Sequence, residues 1–102
     1  MAEEKRFENK IKAFLKNQNC YHVKYFANRN TRSGVPDILA CINGRFVGIE
    51  VKANKGKVSE LQRWNLIHIR NSGGIGLLVF PSDWEVFIEK INEIMEVRAC
   101  SK

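Results

Sequence analysis

The sequence has little of what marks several common protein classes. Its three cysteines, Cys20, Cys41 and Cys100, are an odd number without CxxC spacing, which argues against a disulfide framework and a zinc site. No stretch approaches the ~20 apolar residues of a membrane span, and the charged N-terminus does not match a signal peptide. No internal repeat or low-complexity segment is visible. We therefore expect one soluble, cytoplasmic domain over residues 1–102 without a membrane partner, in which Cys41 is a small buried strand residue.

The chain is basic, and its charge is unevenly distributed. Its net charge is +6, while its apolar fraction of 44% is ordinary for a globular protein. Residues 1–57 contain twelve Lys and Arg against five Asp and Glu, whereas residues 58–102 contain five against six. Because Lys and Arg release counterions from nucleic acid on binding, the basic half favours a nucleic-acid partner. The alternative is a charge that serves solubility alone.

A hairpin is the strongest local prediction. Two mostly apolar runs, Ile38–Ile42 and Phe46–Val51, flank the dipeptide Asn43-Gly44. This dipeptide is typical of a two-residue type I′ turn, because both positions tolerate positive φ. With these two residues in the loop, Ile42 lies opposite Arg45, and the pairing of all later residues is fixed.

The register of this hairpin brings charged residues together. Asp37 falls opposite Glu50, with Cβ atoms about 5 Å apart, and Lys52 projects from the same face because strand side chains alternate. Two carboxylates this close repel each other unless a cation lies between them, and their hard oxygens suit Mg²⁺ or Mn²⁺. Lys52 would then position water or neutralise a phosphoryl group. The trio therefore predicts phosphodiester hydrolysis, and the alternative is a surface Glu-Lys pair beside an unrelated Asp.

The remaining segments show helix and strand patterns in turn. Apolar residues recur at helical spacing near both ends of the chain, and the continuous apolar run Ile75–Phe80 favours a strand buried on both faces. Ser82 and Glu85 fit a capping box at the start of the last helix. The predicted elements are a helix over Glu3–Asn17, strands over Tyr21–Ala27, Ile38–Ile42 and Phe46–Val51, a helix over Ser59–Asn71, a strand over Ile75–Phe80 and a last helix. This order predicts an α/β fold with a mixed sheet flanked by helices.

Two basic loops flank the hairpin. The polar segment before Asp37 is rich in turn residues, and its arginines would bind phosphates, since guanidinium matches phosphate bidentately. Gly34 would permit close approach to a substrate, and a flexible solvated loop is the alternative. A second short basic loop follows Lys52. The candidate DNA-binding residues of the two loops are Arg29, Arg32, Ser33, Lys55 and Lys57.

Two further residues have competing explanations. Glu8 lies along the ridge of Ile11 and Leu15 on the first helix, so it either points toward the edge of the core or is solvated. Ser59 and Gln62 fit a capping box, which accounts for Gln62 without a role in catalysis.

The fuller pattern resembles a known nuclease family. Asp37 and Glu50-x-Lys52 look like the conserved elements of the PD-(D/E)xK nucleases. The longer match is similar to the virus-type replication-repair nuclease (VRR-NUC) branch in its compact, stand-alone, phage-like form, and to archaeal Holliday-junction resolvases. It comprises Ser33-Gly34-Val35-Pro36-Asp37, Glu50-Val51-Lys52-Ala53, Gly56 and Ser59-x-x-Gln62, within a similarity that runs from about Glu8 to Phe80.

The resemblance implies a fold, an activity and a set of roles. The fold would be a restriction-endonuclease-like PD-(D/E)xK core of order αβββαβα. Asp37, Glu50 and the carbonyl of Val51 would bind Mg²⁺ or Mn²⁺. Lys52 would be catalytic, with support from Glu8 and Gln62.

The expected activity is that of a metal-dependent, structure-specific DNA endonuclease, a Holliday-junction resolvase that cuts four-way junctions as a homodimer. It would act in the cytoplasm of a bacterial or phage-infected cell. The alternatives are a nicking, flap or restriction-like nuclease on duplex DNA and a non-catalytic DNA-binding module.

Overall fold

The computed structural model describes residues 2–96, and Cys100 lies outside them. The element order is the predicted one, and most boundaries agree with the prediction to within one residue. The first strand is three residues shorter than predicted. The elements are α1 (Ala2–Asn17), β1 (Tyr21–Lys24), β2 (Ile38–Ile42), β3 (Arg45–Val51), α2 (Glu60–Asn71), β4 (Ile75–Val79), a 3₁₀ turn (Pro81–Asp83) and α3 (Trp84–Glu96).

The four strands form one mixed sheet in the order β1-β2-β3-β4. The first three strands are antiparallel neighbours, whereas β4 pairs parallel to β3 after the α2 crossover. Asn43 and Gly44 have φ of 52° and 78°, as a type I′ turn requires. Ile42 pairs with Arg45, so the predicted hairpin register is confirmed.

The two faces of the sheet are covered differently. One face carries the main core, in which β2 and β3 side chains such as Ile38 and Ile49 form one cluster with Ile11 of α1 and Ile91 of α3. The other face is covered by α2 near β3 and β4. A Cβ on Gly76 of β4 would lie 2.8 Å from the carbonyl oxygen of Leu66, so the helix lies directly against the strand. The predicted α/β fold with helices on both faces is therefore confirmed.

Two burial predictions are wrong. Ile75–Val79 is an edge strand rather than a strand buried on both faces, and Leu77 and Leu78 are only half-buried. Cys41 is exposed rather than buried. It lies on the second face over β2, beyond the strands that α2 covers. Local pattern predicts a strand, but it reveals neither the place of that strand in the sheet nor which part of the sheet the helices leave open.

The start of the last helix also differs from the prediction. The predicted capping box of Ser82 and Glu85 is replaced by a 3₁₀ turn ahead of α3. Here the side chain of Asp83 accepts a hydrogen bond of 3.0 Å from the backbone N–H of Phe80. The proline at position 81 begins this turn, because its fixed φ suits a first helical position.

None of the three helices within residues 2–96 combines the length and the apolar character needed to cross a membrane.

Candidate active site

Asp37 is fixed between two strands at one end of the sheet. Its Oδ2 accepts a hydrogen bond of 2.9 Å from the backbone N–H of Val51 in β3. Its backbone carbonyl accepts one of 2.8 Å from the N–H of Tyr25, just after β1. Because both its backbone and its side chain are tied down, the carboxylate is held beside Glu50, the neighbour of Val51.

Glu50 is a buried carboxyl group with a strongly raised pKa. Only 2% of the residue is exposed. Burial, together with the nearby charge of Asp37, raises its pKa from 4.5 to about 8, although Lys52 opposes the shift. Ionisation of both carboxyl groups is therefore unfavourable unless a proton or a cation lies between them.

Lys52 lies on the Glu50 side of the site. Its Nζ is 3.8 Å from Oε2 of Glu50, and 13% of its side chain is exposed. Its backbone N–H donates to the carbonyl of Val79, which continues the pairing of β3 with β4 by one residue. The structure therefore brings Asp37, Glu50 and Lys52 together in the arrangement that the hairpin register predicts.

Glu8 reaches the same end of the sheet from α1. Only 4% of the residue is exposed, so it points into the core edge rather than into solvent. Its Oε1 lies 3.0 Å from Nζ of Lys24, and its Oε2 lies 3.4 Å from Nζ of Lys12. Burial raises the pKa of Glu8, but the two lysines outweigh it and lower the pKa overall. Glu8 is therefore a buried anion at neutral pH.

Lys24 connects Glu8 to Asp37, and the sequence reasoning missed it. Its Nζ lies 3.7 Å from Oδ1 of Asp37 as well as 3.0 Å from Glu8. The available signal was strand alternation. Lys24 pairs with Ile38, so it shares the helix-covered face of the sheet with that buried residue. A lysine on a covered face requires a nearby carboxylate, and the ridge of Glu8 supplies it.

Gln62 forms the predicted capping box with Ser59. The Gln62 N–H donates to Oγ of Ser59 at 3.1 Å, and the Ser59 N–H donates to Oε1 of Gln62 at 2.9 Å. Within residues 2–96, no hydrogen bond joins Gln62 to Asp37, Glu50 or Lys52. The structure therefore contains the complete capping box that explains Gln62 without a catalytic role.

The predicted DNA-binding residues are all exposed, on the two loops that flank the hairpin. These residues are Arg29, Arg32, Ser33, Lys55 and Lys57. The first loop is partly ordered by its own contacts, because the Tyr25 hydroxyl donates to the carbonyl of Arg32 at 2.9 Å.

Gly34 has a packing role, and its predicted approach to substrate stays a prediction. Its φ is +79°, and an added Cβ would lie 2.6 Å from Cγ of Leu61 and 2.8 Å from Nδ2 of Asn65. The absence of a side chain therefore lets the loop pack against the first turns of α2. This contact places the loop of Arg32 and Ser33 beside that helix.

The residues present fit a hard divalent cation. Within residues 2–96, no three His, Cys, Asp or Glu side chains converge as a metal site. The side-chain donors are therefore the carboxylates of Asp37 and Glu50, beside the backbone of Val51. Mg²⁺ is commonly held by one or two carboxylates, with water and substrate phosphate in its other positions. The buried, repelling pair of carboxyl groups supplies the charge that such an ion needs.

A comparison with protein families gives a match over most of the chain. The model of the VRR-NUC domain matches residues 3–80, a range that includes α1 to β4 and all of the predicted site residues. None of the curated proteins that were compared matches the chain. The VRR-NUC domain is of the restriction-endonuclease-like superfamily, in agreement with the mixed sheet and the flanking helices. The predicted superfamily is therefore confirmed.

Proposed function

This chain belongs to the VRR-NUC family, a family of nuclease domains, and from this premise we propose that it is a metal-dependent endonuclease for branched DNA. A nuclease domain implies DNA as the substrate. The observation that carries the metal-dependent reaction is the buried Glu50 held against Asp37, with its pKa raised to about 8. The preferred substrate in this proposal is a four-way junction.

Asp37, Glu50 and the carbonyl of Val51 would hold Mg²⁺ or Mn²⁺. When bound, such an ion would polarise the scissile phosphate and lower the pKa of water. The chain itself contributes preorganisation, because the hydrogen bond between Asp37 and the N–H of Val51 fixes one carboxylate before substrate arrives. Burial of Glu50 excludes bulk water, which strengthens the electrostatic interactions at this point.

Lys52 would act directly on the reacting groups. Its ammonium lies next to Glu50, and it is only partly exposed, so it is positioned to donate to the attacking water or to a phosphate oxygen. Glu8 would support the site through Lys24, which keeps the charge near Asp37 balanced. Gln62 would support the site from the first turn of α2, in addition to capping that helix.

The exposed basic loops would bind the DNA backbone on both sides of the cut. Arg29, Arg32 and Ser33 precede the site in sequence, and Lys55 and Lys57 follow it. Arginine binds phosphate bidentately, and each neutralised phosphate releases counterions. By contrast, the exposed glutamates of α3 would repel DNA, so the substrate would approach away from that helix.

A homodimer would supply the two cuts that resolution of a junction requires. An apolar area suited to this contact lies on the half of the second sheet face that α2 leaves open. Tyr21, Val23 and Phe46 lie there and are exposed by 73%, 41% and 48%. Burial of these side chains against a second copy would remove apolar surface from water.

The decisive experiment is cleavage of labelled four-way junction, flap and linear duplex DNA with and without Mg²⁺ or Mn²⁺. The wild type is compared with Asp37→Asn, Lys52→Met and the control Glu89→Gln, which changes an exposed carboxylate on α3. We expect symmetric, metal-dependent cuts in the junction that disappear in the first two variants and persist in the third. Metal-dependent cutting of all three substrates would leave a nuclease without junction selectivity. Tight binding without cleavage would instead indicate a DNA-binding module.

Sedimentation tests the dimer separately. We expect two copies of the chain on each junction, and a charged replacement such as Phe46→Glu should lower the stoichiometry. A monomer both free and on junction DNA would contradict the resolvase proposal, although not the nuclease activity.

A further inference from the structure

An exposed aromatic pair on α2 lies outside the catalytic trio. The rings of Trp64 and His68 stack with their centroids 4.7 Å apart and an interplanar angle of 20°. Trp64 is nevertheless 48% exposed, so much of its ring remains open to solvent. The guanidinium carbon of Arg32 lies 5.9 Å from the Trp64 ring. Because Arg32 lies over the ring, an aromatic surface and a cation lie together at the protein surface.

Trp64 also lines a pocket next to the loop that leads to Asp37. The pocket has a volume of about 650 Å³ and is lined by Arg32, Ser33, Glu60, Leu61 and Trp64. Its two sides are held together where Gly34 packs against Leu61. Since Asp37 follows Gly34 by only three residues in the sequence, the pocket belongs to the loop that carries the catalytic carboxylate.

We propose that this pocket binds one unpaired nucleobase of the DNA substrate, stacked on the indole of Trp64. The inference rests on the proposed nuclease function and specifies how that function would recognise branched DNA. Each base has a π-face that stacks on an aromatic ring, and arginine next to the ring binds the adjoining phosphate.

The lining of the pocket favours a base over a phosphate as its occupant. Leu61 and Trp64 present apolar surface, which suits a base and not a charged group. The carboxylate of Glu60 would repel a phosphate within the pocket, whereas it accepts hydrogen bonds from the amino group of a base. Arg32, on the loop side of the pocket, is left to bind a phosphate of the DNA backbone.

The substrate must supply a base that is free to leave its neighbours. In continuous duplex both faces of every base are already stacked, and extrusion costs a few kcal/mol. At a branch point or in a single-stranded segment, this cost is small. Stacking on Trp64 therefore discriminates branched or gapped DNA from duplex without reading its sequence.

Tryptophan fluorescence reports the contact directly. The chain contains two tryptophans, and Trp84 packs against Phe14 and Phe87 on the opposite side of the sheet. Trp84→Phe therefore leaves Trp64 as the single tryptophan, and Asp37→Asn in the same chain prevents cleavage during titration. We expect quenching by a junction with a short unpaired segment and little quenching by fully paired duplex of equal length. An abasic site at one position of that segment should abolish the quenching.

Affinity measurements test the same contact without fluorescence. Trp64→Ala should weaken binding of the partly unpaired junction by about fivefold to a hundredfold, the range for one lost base stack. Trp64→Phe should restore much of this affinity, and binding of duplex should change less than twofold. Val86→Ala is the matched control, because Val86 is an apolar residue with 65% exposure on α3.

The outcomes separate this inference from the proposed function. If the wild type binds and cuts DNA but Trp64→Ala weakens duplex and junction equally, or Trp64 emission does not change on binding, the stacking site is wrong and the nuclease proposal stands. If the wild type binds no DNA, both are wrong.

Discussion

Nζ of Lys24 on β1 lies 3.0 Å from Oε1 of Glu8 on α1, so a lysine on the sheet neutralises a buried carboxylate on the helix that covers it. The same Nζ is 3.7 Å from Asp37, and it therefore links the first helix to the candidate catalytic residue. The position of α1 and the charge of the active site depend on the same contact.

Removal of this lysine should destabilise the fold. In Lys24→Met, Glu8 keeps only the 3.4 Å contact with Lys12, while its buried position is unchanged. We expect a loss of roughly 2 kcal/mol in the free energy of unfolding, the scale of a hydrogen bond to a charged group. Urea denaturation measures the difference.

The matched control is Lys90→Met. Lys90 pairs with Glu93 at 3.8 Å, but both side chains are largely exposed, so its loss should cost less than about 0.5 kcal/mol. The double variant Lys24→Met/Glu8→Gln should recover part of the stability because no buried charge is left unpaired. If Lys24→Met and Lys90→Met lower the free energy of unfolding equally, the buried pair contributes no more to stability than the exposed pair does.

The pH dependence of stability should identify Glu50. Its pKa rises from 4.5 to about 8 on folding, so the folded protein binds this proton more tightly than the unfolded chain does. The stability from this group is therefore fully present below pH 4.5 and is lost as the pH rises to about 8. In metal-free buffer, Glu50→Gln should remove this slope and be more stable than the wild type at pH 8 to 9, roughly one unit around that pKa.

Thermal unfolding between pH 5 and 9, on either side of the pKa of about 8, measures this effect. Glu89→Gln serves as the control, because that carboxylate is exposed on α3. Addition of Mg²⁺ should stabilise the wild type and not Glu50→Gln, since ligand binding to the folded state adds stability by mass action. If the difference in stability between Glu50→Gln and the wild type does not change with pH, the raised pKa of the buried Glu50 carboxyl group is contradicted.

The two explanations of Gln62 can be separated by its capping partner. Gln62→Ala and Ser59→Ala each break the capping box, and each should lower the free energy of unfolding by about 1 kcal/mol. If Gln62 also supports the active site, Gln62→Ala should slow DNA cleavage several-fold more than Ser59→Ala does. Equal cleavage rates for the two variants, measured under conditions where both are folded, would leave the capping role alone.

The sequence predicts the hairpin and its paired carboxylates because these depend on local chemistry. Asn43 and Gly44 specify a turn with positive φ, and the strand period of two then places Asp37 and Glu50 together without knowledge of any other element. One helix start was likewise predictable, since the capping box of Ser59 and Gln62 spans four adjacent positions.

The errors concern contacts between distant elements. The role of Lys24 depends on how α1 is rotated over the sheet, which periodicity gives only approximately. The exposure of Cys41 depends on where α2 crosses the second face, and no local pattern contains that information. The packing of Gly34 against Leu61 joins segments far apart in sequence, so no local pattern indicates it.

The contact of Gly34 with α2 gives the sharpest test of loop position. Gly34→Ala places a Cβ 2.6 Å from Cγ of Leu61, at a φ of +79° that side chains rarely adopt. Gly73→Ala is a matched control, because its φ of +97° is also positive but no atom lies within 4 Å of the added Cβ. We expect Gly73→Ala to cost about 1 kcal/mol and Gly34→Ala to cost about 1 to 3 kcal/mol more, since crowding adds to backbone strain. Urea denaturation provides both values.

Displacement of the loop should also move Asp37 and Arg32, so cleavage by folded Gly34→Ala should fall well below that of Gly73→Ala. Equal stability and equal cleavage in the two variants would mean that the loop does not depend on packing against α2.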